Sequence, residues 1–254
     1  MVEEEGAGRK QDRVSAVTRL FCLPYAGGRG AIFQRWQPAM PADVEVCPVE
    51  LPGHGRRIAE TPCSDMASVV TAVAASIVDR IREPFAVFGH SMGALIAFEL
   101  ARRLRRQFGV TPKALYVSAR RAPHIIDPRA PWYGLPSDKF FAAWRRLNGL
   151  PQQSFVNPRV CAVVEPILRA DCQIVQTYRF VDDDPLDCPI VAFGGSHDAH
   201  CSAPEIALWA AHTRAGFVST IVDGDHFFIE SSRQEFLPAL SADVRERLTL
   251  VTRA

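Results

Sequence analysis

Three residues of this chain, Ser91, Asp198 and His226, could together carry out nucleophilic chemistry. Ser91 stands in Gly89-His90-Ser91-Met92-Gly93. A serine hydroxyl is a poor nucleophile at neutral pH. It needs a base within hydrogen-bond reach, and the base needs an acid to orient it. The apolar run Phe85-Ala86-Val87-Phe88 before the pentapeptide reads as a buried strand. Leu95, Ile96, Phe98 and Leu100 after it recur at helical spacing. A strand that turns straight into a helix brings two backbones close together, and Gly89 and Gly93 supply the clearance. Ser91 is then left at the tip of a strained turn with its hydroxyl outward, a nucleophile elbow. The chemistry implied is attack on an acyl carbonyl.

In open parallel sheets, ligand sites gather at the carboxyl ends of the strands, so the partners of Ser91 are sought just after strands. Asp198 follows the apolar run at 188–193, and His226 follows the run at 217–222. The run at 114–118 is followed by Ala119-Arg120-Arg121-Ala122, which offers no carboxylate. Asp223 and Asp225 flank His226, but near neighbours in a turn point apart. His90 is expected to point away from Ser91 and to pack or hydrogen-bond. His197 and His200 bracket Asp198 without a third ligand at sensible spacing, so no metal is expected. His54, His124 and His212 are read as structural or surface residues. Acyl transfer also needs donors for the developing oxyanion. The backbone N–H of Met92 is one candidate. The N–H of Ala26, in the loop Pro24-Tyr25-Ala26-Gly27-Gly28, is the other.

The elements that must position these groups follow from the apolar patterning. Strands are expected at 17–23, 44–49, 85–90, 114–118, 188–193 and 217–222. Helices are expected at 31–40, at 66–81 with Ser64 or Asp65 as cap, and after the elbow into Arg102, Arg103, Arg105 and Arg106. Others are expected from Ser137 as cap to Gly149, and over 159–178, 203–212 and 234–248. Strand-helix alternation predicts an α/β fold: a mostly parallel central sheet with helices on both faces. The order Ser, Asp, His is that of the α/β-hydrolase fold. From about 124 to 186 the alternation stops, and prolines separate short helical fragments. That stretch is expected to be a helical lid inserted into a single domain spanning 1–254, with 1–13 a disordered lead-in. Phe140, Phe141, Trp144, Leu147, Val164 and Leu168 could line an acyl pocket under it, or simply pack its helices together.

Composition bounds the setting. The 254 residues are 48% hydrophobic and 22% charged, which suits one large globular domain. A net charge of +1 gives no bulk case for nucleic acid or membrane partners. No apolar run approaches the roughly 18–20 residues of a membrane helix. Seven scattered cysteines with no Cys-x-x-Cys pair and no signal peptide fit reduced thiols in the cytoplasm. The protein is expected to be a monomer.

Several motifs together resemble the type II thioesterases, α/β-hydrolases that accompany nonribosomal peptide and polyketide synthases. They are Leu23-Pro24-Tyr25-Ala26-Gly27-Gly28, Leu51-Pro52-Gly53, Gly89-His90-Ser91-Met92-Gly93, Arg120-Arg121-Ala122-Pro123, Leu168-Arg169-Ala170-Asp171 and Gly224-Asp225-His226-Phe227-Phe228. The resemblance implies hydrolysis of thioesters on the phosphopantetheine arm of carrier domains, removing stalled or wrongly primed acyl groups. It implies catalytic roles for Ser91, Asp198 and His226 and oxyanion donation by Ala26 and Met92. It implies no cofactor, since phosphopantetheine arrives with the substrate. An arginine commonly follows Leu-Pro-Gly in such proteins. Here His54-Gly55-Arg56-Arg57 stands instead, a departure that touches no triad position. The arginines at 102–106, or Arg120 and Arg121, could meet an acidic carrier domain, although a solvated helix face explains the first group equally well. The rival readings are a chain-terminating medium-chain fatty-acyl thioesterase, a carboxylesterase, an acyl transferase, and a carrier-binding protein without activity.

Overall fold

Six apolar runs become six strands of one parallel sheet. The computed structural model describes residues 17–81, 84–127, 130–147 and 155–249. The expected lead-in at 1–13 and helix stop at Gly149 lie outside those residues. The first half of the chain forms β1 (Thr18–Leu23), α1 (Ala31–Gln34), β2 (Val44–Pro48), α2 (Met66–Ile77), β3 (Phe85–His90), α3 (Met92–Phe108) and β4 (Leu115–Ser118). The second half forms α4 (Ser137–Leu147), α5 (Pro158–Thr177), β5 (Ile190–Gly195), α6 (Ala203–Ala207), β6 (Phe217–Val222), α7 (Phe228–Ser231) and α8 (Arg233–Thr249). The sheet order is β2-β1-β3-β4-β5-β6, and every pairing is parallel. The carboxyl ends of all six strands therefore share one edge.

Side chains alternate between the two faces of this sheet. Phe21, Leu23, Phe85 and Val87 join one core with Val69 and Val73 of α2 and Ile96 and Leu100 of α3. Leu20, Cys22, Ala86 and Phe88 join the other with Trp36 and with Phe236, Leu240 and Val244 of α8. With both faces covered, β3 is buried at every position, which is why its sequence is continuously apolar.

Several helices end earlier than the periodicity predicts. The helix expected at 31–40 is α1 plus a separate 3₁₀ turn, Gln37–Ala39, with a proline at its start. The helices expected at 66–81 and 203–212 likewise tighten into 3₁₀ turns, Val78–Arg80 and Leu208–His212. Asp65, not Ser64, caps α2: its carboxylate accepts the Ser68 N–H at 2.9 Å. Ser137 is inside α4 rather than its cap, and its hydroxyl donates to Glu165 of α5 at 2.7 Å.

The arginines of α3 do not form a free basic face. Arg102 is 4% exposed at its side chain and pairs with Glu99 at 2.8 Å and Asp183 at 3.2 Å. Arg105 and Arg106 also reach Asp183, and Arg103 donates to Thr71. Arg102, Arg105 and Arg106 fasten α3 to the segment that follows α5, and Arg103 ties it to α2.

Between β4 and β5 the chain leaves the sheet. Phe140, Phe141, Trp144, Leu168 and Cys172 of α4 and α5 build a small core of their own there.

Candidate active site

The elbow is set by steric contact. Ser91 has φ +54°, a left-handed value that a non-glycine residue holds only under constraint. A Cβ at Gly89 would lie 2.1 Å from the Gly93 carbonyl oxygen, and one at Gly93 would lie 2.3 Å from that of Leu23. Neither backbone atom can yield, so the strand-to-helix turn requires both glycines. The Ser91 N–H is tied to the Ser118 carbonyl at the end of β4 (2.8 Å).

The loops after β5 and β6 bring the other two groups in. Ser196 N–H donates to the Val222 carbonyl and His197 N–H to that of Gly224, both at 2.9 Å. Gly195 makes this contact feasible, because a Cβ there would lie 2.4 Å from the Asp225 carbonyl oxygen. The result is a continuous chain of side chains. His226 Nε2 lies 3.0 Å from Ser91 Oγ, and His226 Nδ1 lies 2.8 Å from Asp198 Oδ2. The Asp198 side chain is fully buried, and its other oxygen accepts the His200 N–H at 2.7 Å. A carboxylate held this way fixes which nitrogen of the imidazole carries the proton, leaving the other free to accept one from Ser91.

The neighbouring histidines have other partners. His90 Nε2 donates to the His226 carbonyl and its Nδ1 accepts from Ser118 Oγ, both at 2.9 Å. Burial, reinforced by the adjacent His226 ring, pushes the His90 pKa well below its usual value. His90 is thus a neutral strut between the elbow and the His226 loop. His200 donates to the Leu147 carbonyl at 2.7 Å, and its ring meets His226 edge-on. Asp223 faces Ser196 and His197, and Asp225 accepts the Phe227 N–H, so neither is on His226. Among the described residues no cluster of His, Cys, Asp or Glu could hold a metal.

The Ala26 loop crosses the same edge. Tyr25 donates to Glu230 of α7 at 2.6 Å. Burial, and then this carboxylate, raise the Tyr25 pKa. Met92 opens α3, so its N–H is one that no helical carbonyl can accept, at the positive end of the helix dipole. Met92 follows Ser91 in the chain, and Ala26 lines the same cavity as Ser91.

A cavity of about 500 Å³ opens on Ser91 and His226 and is walled by Ala26, Ile125, Trp132, Trp144, Leu147, Val175, Phe180 and the polar Gln176, Arg120 and Arg179. A second, of about 880 Å³, lies across Tyr25, Ala26, Trp144 and Phe227 from the first and is lined by Val164 and Leu168. Of the residues expected to line an acyl pocket, Trp144 faces both cavities, Leu147 the first, and Val164 and Leu168 the second. Phe140 and Phe141 line neither; they are buried in the packing between α4 and α5.

Residues 18–244 match the family model described as a thioesterase domain. The chain belongs to the thioesterase family. The enzyme is 38% identical to the gramicidin S biosynthesis protein GrsT of Aneurinibacillus migulanus, over 91% of this chain and 90% of that protein. It is 34% identical to thioesterase PikA5 of Streptomyces venezuelae, over 94% and 83%. The thioesterase RedJ, from the prodiginine biosynthetic pathway in Streptomyces coelicolor, superposes with a TM-score of 0.82 at 36% identity, covering 89% of this chain and 85% of that one. This thioesterase is thus a hydrolase of thioesters built on the α/β-hydrolase fold.

One cluster escapes the sequence reading of this thioesterase. His54, read as structural or surface, is buried, with Nε2 2.9 Å from Asp171 Oδ2. The motif Leu168-Arg169-Ala170-Asp171 was the available signal, but nothing in it names a partner 117 residues away.

Proposed function

We propose that this thioesterase removes acyl groups from the phosphopantetheine arm of carrier domains in a nonribosomal peptide or polyketide synthase, clearing stalled or wrongly primed chains. The carrying observation is the unbroken chain Ser91–His226–Asp198, at 3.0 and 2.8 Å, opening on a cavity. The kinship to GrsT, PikA5 and RedJ supports the synthase setting.

In this reading His226 takes the proton of Ser91 as Oγ attacks the thioester carbonyl. The Ala26 and Met92 N–H groups receive the oxyanion. His226 then protonates the leaving thiol, which departs on the carrier arm and leaves acyl-Ser91. Water, deprotonated by His226, attacks the acyl carbon, and the acid is released with Ser91 restored. Asp198 holds the imidazole tautomer and stabilises its charged form. No cofactor of the enzyme takes part. The segment carrying α4 and α5 acts as the lid of a single domain, and the largely apolar cavity wall suits an acyl chain. One chain supplies the triad and both proposed oxyanion donors, so the chemistry calls for no second copy, and the protein is proposed to be a monomer. Seven free cysteines suit a reducing compartment such as the cytoplasm.

The test is purified protein mixed with acetyl- and longer acyl-loaded carrier protein, with intact mass following both partners and Ser91→Ala in parallel. Wild type should unload the carrier and Ser91→Ala should not. A carrier that stays loaded with wild type refutes the reading, and faster turnover of free oxygen esters would favour a carboxylesterase.

A further inference from the structure

Asp171 sits on α5, between the Ala26 loop and the loop after β2, and is 1% exposed. Its Oδ2 accepts two hydrogen bonds, from the Gly27 N–H at 2.7 Å and from His54 Nε2 at 2.9 Å. His54 Nδ1 lies 3.0 Å from the Pro52 carbonyl. A carbonyl and a carboxylate only accept, so this setting of both ring nitrogens favours the protonated ring of His54. Burial opposes that charge, but the hydrogen bond and charge of Asp171 outweigh it and raise the His54 pKa. A buried carboxylate is tolerated where a counter-charge and hydrogen bonds meet it, and His54 and Gly27 supply both.

Gly27 follows Ala26, whose N–H is the oxyanion donor of the proposed function. Gly27 holds φ +74°, and a Cβ there would lie 2.7 Å from Leu168 Cδ2. The left-handed φ favours glycine, which has the widest backbone freedom. Within the loop the Gly28 N–H donates to the Tyr25 carbonyl at 2.8 Å, which closes the turn from inside. The Asp171 carboxylate holds it from outside, because the Ala26–Gly27 peptide plane, next to the one that carries the Ala26 N–H, cannot rotate without breaking its bond.

We propose that Asp171 is a positioning residue for the oxyanion loop, holding the Gly27 N–H so that the Ala26 N–H stays aimed at the acyl oxygen, with His54 securing the carboxylate from the opposite side. This deepens the hydrolase reading and rests on it. It also couples the α5 segment to the reactive centre, since the same carboxylate belongs to both.

The test compares wild type, Asp171→Ala and Asp171→Asn. Asparagine can place its oxygen where Oδ2 lies and keep the Gly27 bond; alanine cannot. One readout is the rate at which Ser91 is phosphonylated by a fluorophosphonate, followed by intact mass. Ser91 Oγ forms the bond to phosphorus and fluoride leaves, so the step needs the triad and oxyanion donors but no particular acyl group. The other readout is kcat and KM on an acyl thioester. Asp171→Ala should lose about 10- to 1000-fold in both phosphonylation and kcat, the range seen when an oxyanion donor is displaced or removed. Its KM should stay within about threefold, and Asp171→Asn should retain most of the rate. Thermal melts check folding. Should Asp171→Ala not fold, Asp171→Leu fills the space without an acceptor and carries the same expectation. Phosphonylation of a folded Asp171→Ala or Asp171→Leu at the wild-type rate overturns the proposal, as does equal loss in Asp171→Asn. If wild type itself is not labelled at Ser91, the hydrolase reading fails instead.

Discussion

Replacing Asp198 by asparagine would change almost no volume and leave a defined defect. Oδ1 of Asp198 accepts the His200 N–H at 2.7 Å, and Oδ2 faces His226 Nδ1 at 2.8 Å. In Asp198→Asn only one of the two atoms is an acceptor. The His200 N–H can only donate, so the asparagine oxygen stays with it and the NH₂ turns to Nδ1. Nδ1 must then accept, which places the imidazole proton on Nε2, 3.0 Å from Ser91 Oγ. A protonated Nε2 cannot take the serine proton. The same tautomer error in other triads lowers kcat about 10⁴-fold. At about 1.36 kcal/mol per tenfold, that is about 5.4 kcal/mol of barrier. Turnover of acyl-carrier, followed by intact mass, measures it without a thiol reagent that would also meet Cys63 and Cys161, both partly exposed. The Asp198→Asn melting temperature should stay near that of wild type. A loss of less than tenfold would refute the tautomer argument.

Gly195→Ala should separate the Asp198 and His226 loops, since its Cβ would strike the Gly224 and Asp225 carbonyls; a fall in kcat of about 100-fold is expected from steady-state kinetics. Arg102→Ala removes a side chain that is 4% exposed and bonds Glu99, Asp183 and the Val181 carbonyl, and it should cost about 1.5–3 kcal/mol in urea unfolding, whereas exposed Arg106→Ala should cost less than about 1 kcal/mol. His90 is held neutral, and His212 is pushed down to about 4 by burial and by His124. For both, the unfolded chain binds the extra proton first, so stability should fall as pH drops below about 6.5, the His212 share ending near pH 4, by at most about 1.4 kcal/mol per pH unit for each group. His54 has the opposite sign: its raised pKa adds stability below the unfolded value that is lost as pH rises through the folded one. Urea titrations at several pH values should show a shallower acid limb in His212→Phe than in wild type, and an equal limb would refute the assignment.

The strands were legible because a strand buried on both faces must be continuously apolar, and β3 and β5 are. Ser91 was legible because the elbow needs glycines at fixed offsets from it, and Asp198 and His226 because each stands one turn beyond a strand. These are local rules, acting within a few residues. Where local signals conflicted, the reading drifted: it extended helices through the 3₁₀ turns at Gln37–Ala39 and Leu208–His212, and it did not foresee α7.

Sequence alone thus determined the sheet, the elbow and the three residue types at its carboxyl edge. Tertiary structure decided which side chains meet. Arg102 looks like one of four arginines on a solvated helix, yet it is buried against Asp183, 81 residues on. His54 and Asp171 carry no mutual signal, yet they share a hydrogen bond beneath the Ala26 loop. Periodicity reports which face of an element is apolar. It cannot report which polar groups are driven together when those faces close, because that depends on how distant loops cross at the sheet edge.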